Sequence, residues 1–205
     1  MRPHPGESLG AATRPGMSGR ATSLLRQAPA EASDGYWMSL LASVQIGCLI
    51  AFAILLLLAA WQDWRTMHIA DGMALGIVAL FALWVMTGAA AGTFSMIDLG
   101  LALVCAAGMF GLGTLAFAAG AMGGGDVKLA AAASLFAGPA LILEFVTVTA
   151  LVGGLLGVAI LAGAPIGPVA PAGDGTLRAR LRGNLPYGPA IAMGGLWVAL
   201  ALALT

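Results

Sequence analysis

The sequence predicts an all-α protein, a polytopic membrane helical bundle with about six transmembrane helices. The mean hydropathy of the chain is +0.96, and 60% of its 205 residues are hydrophobic while only 9% are charged. This composition lies outside the range of soluble domains. Apolar runs near the roughly 20 residues that a helix needs to cross a bilayer also recur along the chain. A helix satisfies its own backbone hydrogen bonds in lipid, so we expect each run to be helical and membrane lipid to be a partner.

The runs that predict spans are separated by short polar breaks. The first, at 38–60, is "MSLLASVQIGCLIAFAILLLLAA" and carries no charge. The fourth and fifth are continuous apart from Gly138, Pro139 and Glu144. We divide them because Gly138 and Pro139 favour a break and Glu144 would be costly in the middle of the bilayer. The remaining predicted spans are 72–91, 97–120, 127–143, 145–163 and 188–204.

The N-terminal residues 1–37 differ from the rest of the chain, with four Arg, three acidic residues and four Pro. They predict a disordered tail, followed by a transmembrane domain at 38–205. Met38 directly precedes the first span and is a natural translation start, with Met17 as a second alternative. The Lys and Arg residues of the core fall into the loops after spans one, three and five, which the positive-inside bias assigns to the cytoplasm.

Two acidic residues then reach the cytoplasmic face from different helices. Asp63 lies just past the first span, and Asp126 lies at the start of the fourth. Intramembrane acids indicate function by default, although each residue also fits a plain role at a helix end. Gly123, Gly124 and Gly125 precede Asp126 and let the backbone take positive φ and come close to another chain, although the same run also fits a flexible interhelical turn. Glycines beside an acid, with a second acid on the same face, favour a site.

Two adjacent carboxyl groups share one proton and can activate water to cleave a peptide bond. The sequence holds no H-E-x-x-H, G-x-S-x-G or C-x-x-C motif, so we expect no metal, cofactor or nucleophilic triad. A net charge of zero gives no reason to expect a nucleic-acid partner. The alternative is a small transporter or channel subunit whose acids bind an ion or relay protons. A structural subunit without chemistry is a third interpretation.

Three stretches resemble the type IV prepilin peptidases. "MGGGDVKLAAA" is similar to the family's Gly-x-Gly-Asp signature and contains Asp126. "DWRTMHIAD" resembles its first-aspartate segment and begins with Asp63. "LPYGPAIAMGG", at 185–195, resembles the Pro-Tyr-Gly-Pro start of its last helix. The three occur in the family's order.

The resemblance implies that Asp63 and Asp126 are the catalytic pair of an aspartic endopeptidase in the bacterial inner membrane, with its active site facing the cytoplasm. Such an enzyme removes the short basic leader of prepilins or pseudopilins, and the substrate helix is its partner. Gly123, Gly124 and Gly125 would line the cleft. The cysteine-bearing insert of larger members is absent, which implies the short form of Flp (tight-adherence) pilus systems, without N-methyltransferase activity. The oligomeric state stays open.

Three further charged residues lie near these motifs. Asp71 stands with Ala70 where the family usually has Pro-Asn; we expect it to cap span two, but it is also a rival to Asp63. Arg65 is expected at the lipid headgroups, with docking of an acidic substrate residue as an alternative. Lys128 does not share the helix face of Asp126, which favours local charge balance or phosphate contact over catalysis.

Overall fold

The computed structural model describes residues 17–66, 70–162 and 187–204, with side chains from residue 35 onward. Helices account for nearly all of these residues, and the described part of the chain contains no strand. The all-α fold is therefore confirmed. The helices are α1 (Met17–Thr66), α2 (Asp71–Ala90), α3 (Met96–Ala118), α4 (Gly124–Leu161) and α5 (Gly188–Ala203).

The chain divides into two compact units, Met1–Leu40 and Leu41–Thr205. Within the first unit, α1 begins at Met17, so residues 17–37 of the predicted disordered tail are helical. Ala occurs four times there and Leu and Arg twice each, and all three favour a helix. The first sixteen residues lie outside the described residues, and the start at Met38 stays a prediction. The candidate site lies in the second unit.

The predicted spans agree closely with the structure for α2, α3 and α5. Four helical stretches are long and apolar enough to cross a membrane, and α5 is a shorter apolar helix. Large apolar side chains such as Leu103, Val104 and Leu115 are exposed on the helix surfaces. This is the pattern of a protein whose solvent is lipid, so the chain is a multi-pass membrane protein. The count of six spans stays a prediction.

The break between the fourth and fifth predicted spans lies at Gly138. Its φ of 51° and ψ of −166° are non-helical and interrupt α4, and Pro139 follows without an N–H to continue the ladder. The prediction that Glu144 lies in a connecting loop is wrong. Glu144 is within the second segment of α4 and accepts a hydrogen bond of 2.6 Å from the Trp197 indole N–H. That hydrogen bond satisfies one oxygen of the carboxylate and reduces the cost of placing Glu144 within an apolar helix.

Contacts between the helices give their relative directions. Gly188 lies against Asp63 and Gly195 against Leu56, so α5 runs opposite to α1. Phe136 stacks on Phe52 with ring centroids 4.3 Å apart.

Asp126 is within electrostatic reach of Asp63. The first segment of α4 therefore also runs opposite to α1. A Cβ on Gly153 would lie 3.6 Å from the Cβ of Ala190, and Gly194 meets Phe145, so the second segment runs opposite to α5. The chain thus turns back at Gly138. As a result, the end of α1 and the starts of α4 and α5 lie at one end of the bundle.

Small residues allow the central helices to pack closely. α4 contacts α2, α3 and α5, and its buried face is rich in alanine, including Ala130, Ala132 and Ala133. Close approach of small residues supplies the dispersion contacts that hold helices together in lipid. The aromatic rings of Phe81 and Trp84 meet Phe136 edge-on and fill the space farther from the site.

We predict that Gly194→Ala destabilises the bundle. A Cβ at this position would meet the Phe145 carbonyl oxygen at 2.9 Å and would also strike the Thr149 hydroxyl. Since a backbone atom cannot move aside, we expect a loss of about 1–3 kcal/mol, as for other overpacked interiors. The measurement is reversible unfolding in detergent. Gly154→Ala is the control, because a Cβ there meets nothing within 4 Å; equal stability of the two variants would contradict the packing described.

Candidate active site

Asp63 lies near the end of α1, with a side chain only 4% exposed. The sequence placed it just past the first span, whereas the helix continues three residues beyond it to Thr66. The backbone N–H of Gly188 donates a hydrogen bond of 2.8 Å to its Oδ2. The partner lies 125 residues away in sequence, so folding of the bundle creates this contact. The start of α5 thereby holds the carboxyl group in place.

Asp126 is the third residue of α4 and is 7% exposed. Its Oδ2 accepts a hydrogen bond of 3.3 Å from the backbone N–H of Gly123. Its Oδ1 is buried and has no hydrogen-bond partner in the described part of the chain. Since buried polar atoms are nearly always paired, this oxygen marks a position where a further donor is expected.

The structure places the two carboxyl groups at the same end of the bundle, within electrostatic reach of each other. The charge of Asp63 acts on Asp126. The same end of the bundle holds Tyr187, which is half-buried and precedes α5. Burial, and in addition the negative charge of Asp126, raise the pKa of the Tyr187 hydroxyl. Two acids and a phenol therefore share one partly enclosed environment.

The glycine run before Asp126 does not use the positive φ that glycine allows. Gly123 precedes α4 with a φ of −74°, and Gly124 and Gly125 are its first two residues. Positive φ in this region occurs at Gly120 instead. A Cβ on Gly123 would lie 3.0 Å from Asp126 Oδ2. None of these three glycines takes positive φ, and the missing side chain of Gly123 makes room for the neighbouring carboxylate.

Asp71 and Lys128 form an ion pair beside the two buried acids. Lys128 Nζ lies 2.7 Å from Asp71 Oδ1, which confirms local charge balance for the lysine. Asp71 is the first residue of α2, and Ala70 is in the capping position. The predicted capping role of Asp71 is wrong, because its carboxylate reaches across to α4. Arg65 lies 4.6 Å from the ring centre of Trp61, so it packs on its own helix.

Gly188 and Tyr187 belong to the site although motif-based reasoning did not name them as site residues. A Cβ on Gly188 would come within 2.6 Å of Asp63 Cβ, so only glycine fits there. The signal in the sequence is a glycine between an aromatic residue and a proline at the start of an apolar run. Among the described residues, no group of three or more His, Cys, Asp or Glu side chains is placed to hold a metal ion.

The fold and the site define a class of protein, a multi-pass helical membrane protein with two buried carboxyl groups at one end of its bundle. The chain matches the sequence profile of the type IV leader peptidase family over residues 50–158, which is more than half of its length. It belongs to that family and is a leader peptidase, which is a hydrolase. The match includes Asp63 and Asp126. Comparison with curated proteins and with solved structures found no significant match.

We predict that Gly188→Ala lowers leader cleavage at least about tenfold, because displacing a positioned catalytic group by even 1 Å costs up to about 100-fold in rate. The added methyl group would come within 2.8 Å of Asp63 Oδ2 and push the carboxyl group away. Cleavage is measured per mole of folded protein in membranes. Gly72→Ala is the control, since a Cβ there meets nothing within 4 Å. Full activity of the Gly188 variant would show that Asp63 does not depend on this contact.

Proposed function

We propose that the protein is an aspartic endopeptidase that removes the short basic leader of type IV prepilins or pseudopilins, with Asp63 and Asp126 as its catalytic pair. The enzyme is the short, Flp-type form and acts without N-methylation. The observation on which the proposal depends is that two buried carboxyl groups, one on α1 and one on α4, lie within electrostatic reach of each other in a leader peptidase. A transporter or channel would also use buried acids, but membership of this family favours hydrolysis.

The geometry supports a mechanism in which the pair acts as a unit. Two carboxyl groups within electrostatic reach hold one proton between them and titrate together. The ionised member takes a proton from the attacking water, and the protonated member donates to the scissile carbonyl oxygen. Asp126 Oδ1, which is buried without a partner among the described residues, is suited to face water or substrate. The backbone donors Gly188 and Gly123 orient the other oxygens.

Gly123, Gly124 and Gly125 form one wall of the proposed cleft. Gly123 keeps the approach to Asp126 free of a side chain, and Gly124 lies close to Phe117 of α3. The substrate would present its leader in extended form at this end, with its apolar helix remaining in the membrane. Substrates with a leader followed directly by a hydrophobic helix fit this arrangement.

We expect Asp63→Asn and Asp126→Asn each to abolish leader cleavage, because neither amide can complete the proton transfers. General acid–base catalysis alone contributes about 100- to 10,000-fold to a rate. Asp71→Asn should retain measurable cleavage, since Asp71 pairs with Lys128 rather than with the buried acids. The assay is the mobility shift of a pilin-like precursor from the same genome, expressed together with each variant.

The amount of each variant in the membrane is the control for this comparison. Cleavage that survives the loss of Asp126 would contradict the proposed mechanism. In that case, proton or ion movement through the protein would be measured next. Loss of cleavage in Asp71→Asn alone would instead make Asp71 a member of the catalytic pair.

The proposed location is the inner membrane, with the aspartate end facing the cytoplasm. To test the orientation, single cysteines are placed at Gly72 and at Met96, after Cys48 and Cys105 are changed to Ala. Gly72 lies beside the ion pair, and Met96 is an exposed residue at the opposite end of the bundle, 74% accessible. A membrane-impermeant maleimide should label the Met96 position in intact cells and the Gly72 position only after lysis. The reverse pattern would contradict the orientation.

A further inference from the structure

The ion pair between Asp71 and Lys128 lies at the end of the bundle that carries the two buried acids. Lys128 follows Asp126 by two residues on α4, and Asp71 begins α2. The two charged atoms are 2.7 Å apart, yet the side chains remain 50% exposed for Lys128 and 75% exposed for Asp71. The pair therefore lies at the surface, at the same end of the bundle as the buried acids.

The exposure of this pair makes it easy to exchange. Ion pairs at the surface contribute little to stability because water and salt compete with them. A second ammonium or guanidinium group can replace Lys128 at the Asp71 carboxylate with little loss. At this end of the bundle, Asp71 is the one exposed carboxylate among the residues that the structure describes, since Asp63 and Asp126 are buried. It is thus the natural partner for an incoming cation.

We infer that Asp71 binds a basic side chain of the substrate leader, and that Lys128 occupies the carboxylate until the leader replaces it. The inference rests on the proposed function, in which the leader is basic and enters at this end. It assigns Asp71 to substrate selection rather than to chemistry. Arg65 is not the cation that pairs with Asp71, because its guanidinium lies over the Trp61 ring.

The test uses two variants that break the same ion pair from opposite sides. Asp71→Asn removes the carboxylate, whereas Lys128→Gln removes the competing ammonium and leaves the carboxylate free. Each is assayed with a pilin-like precursor carrying its basic leader and with the same precursor after Lys and Arg of the leader are replaced by Gln. The readouts are kcat and KM for cleavage. Asp98→Asn, an exposed acid at the opposite end that caps α3, is the control.

We expect Asp71→Asn to lower kcat/KM for the basic leader about fivefold, through KM, as for an exposed charge pair. The neutral leader should be unaffected by this variant. Lys128→Gln should raise kcat/KM for the basic leader, although it destroys the same ion pair. A purely structural role of the pair predicts equal losses in both variants and on both leaders.

Four outcomes overturn the inference. Equal losses on both leaders, or a fall in Lys128→Gln that matches the one in Asp71→Asn, would show that the pair only supports the fold. An unchanged KM for the basic leader in Asp71→Asn would show that the carboxylate does not bind it. Failure of the unmodified protein to cleave either precursor would overturn the proposed function itself and this inference with it. Cleavage of a precursor with an acidic leader by the Asp71→Lys variant would support direct pairing between residue 71 and the leader.

Discussion

The approach of α5 to α1 at Gly188 is the contact on which the candidate site depends. The N–H of Gly188 holds Asp63, and the absence of a side chain there leaves room for the carboxyl group. The same approach places Tyr187 near Asp126. Backbone donors at the start of a helix favour a nearby negative charge. A single close contact between distant parts of the chain therefore holds Asp63 and brings Tyr187 near Asp126.

Packing of small residues makes this approach possible. Helices in lipid gain little from burying apolar surface, since the lipid is equally apolar, and they associate through close contact instead. Gly194 and Gly195 let α5 pack closely against α4 and α1. Ala130 and Ala133 have small side chains on the buried face of α4, which allows neighbouring helices to approach it. Many other large apolar side chains, such as Leu103, Val104 and Leu115, face outward. The alanine and glycine content of the chain is thus the physical basis of the site as well as of the fold.

Much of the fold could be predicted from hydropathy, because lipid leaves helices as the only structure for a long apolar run. The limits of α2, α3 and α5 follow from where polar residues interrupt the runs. The extension of α1 to Thr66 could not be predicted, since its last turn is polar and its stability comes from the contact of Asp63 with α5. The position of the break was also ambiguous, because Gly138 and Glu144 both interrupt the same run. The non-helical backbone of Gly138 makes the break, whereas the hydrogen bond from Trp197 keeps Glu144 within a helix.

The two aspartates could be predicted as partners from their motifs, but their surroundings could not. The donor to Asp63 lies 125 residues away, and the pattern around Gly188 marks the start of a helix without showing which side chain that start contacts. The partner of Asp71 was missed for the same reason. Local rules favour capping of its own helix, whereas the chain brings Lys128 within 2.7 Å. Sequence patterns identify the candidate groups, and tertiary contacts decide what holds them.

The turn at Gly138 has a consequence for the membrane itself. The first segment of α4 ends just before it and is about 21 Å long at 1.5 Å per residue, and α5 has only 16 residues. The hydrocarbon core of a bilayer is about 30 Å thick. Short segments are matched by local thinning of the lipid. The hydrophobic mismatch affects the first segment of α4, which carries Asp126, and α5, whose first residue holds Asp63. Local thinning of the lipid around these two helices brings the water–lipid boundary closer to the carboxyl groups.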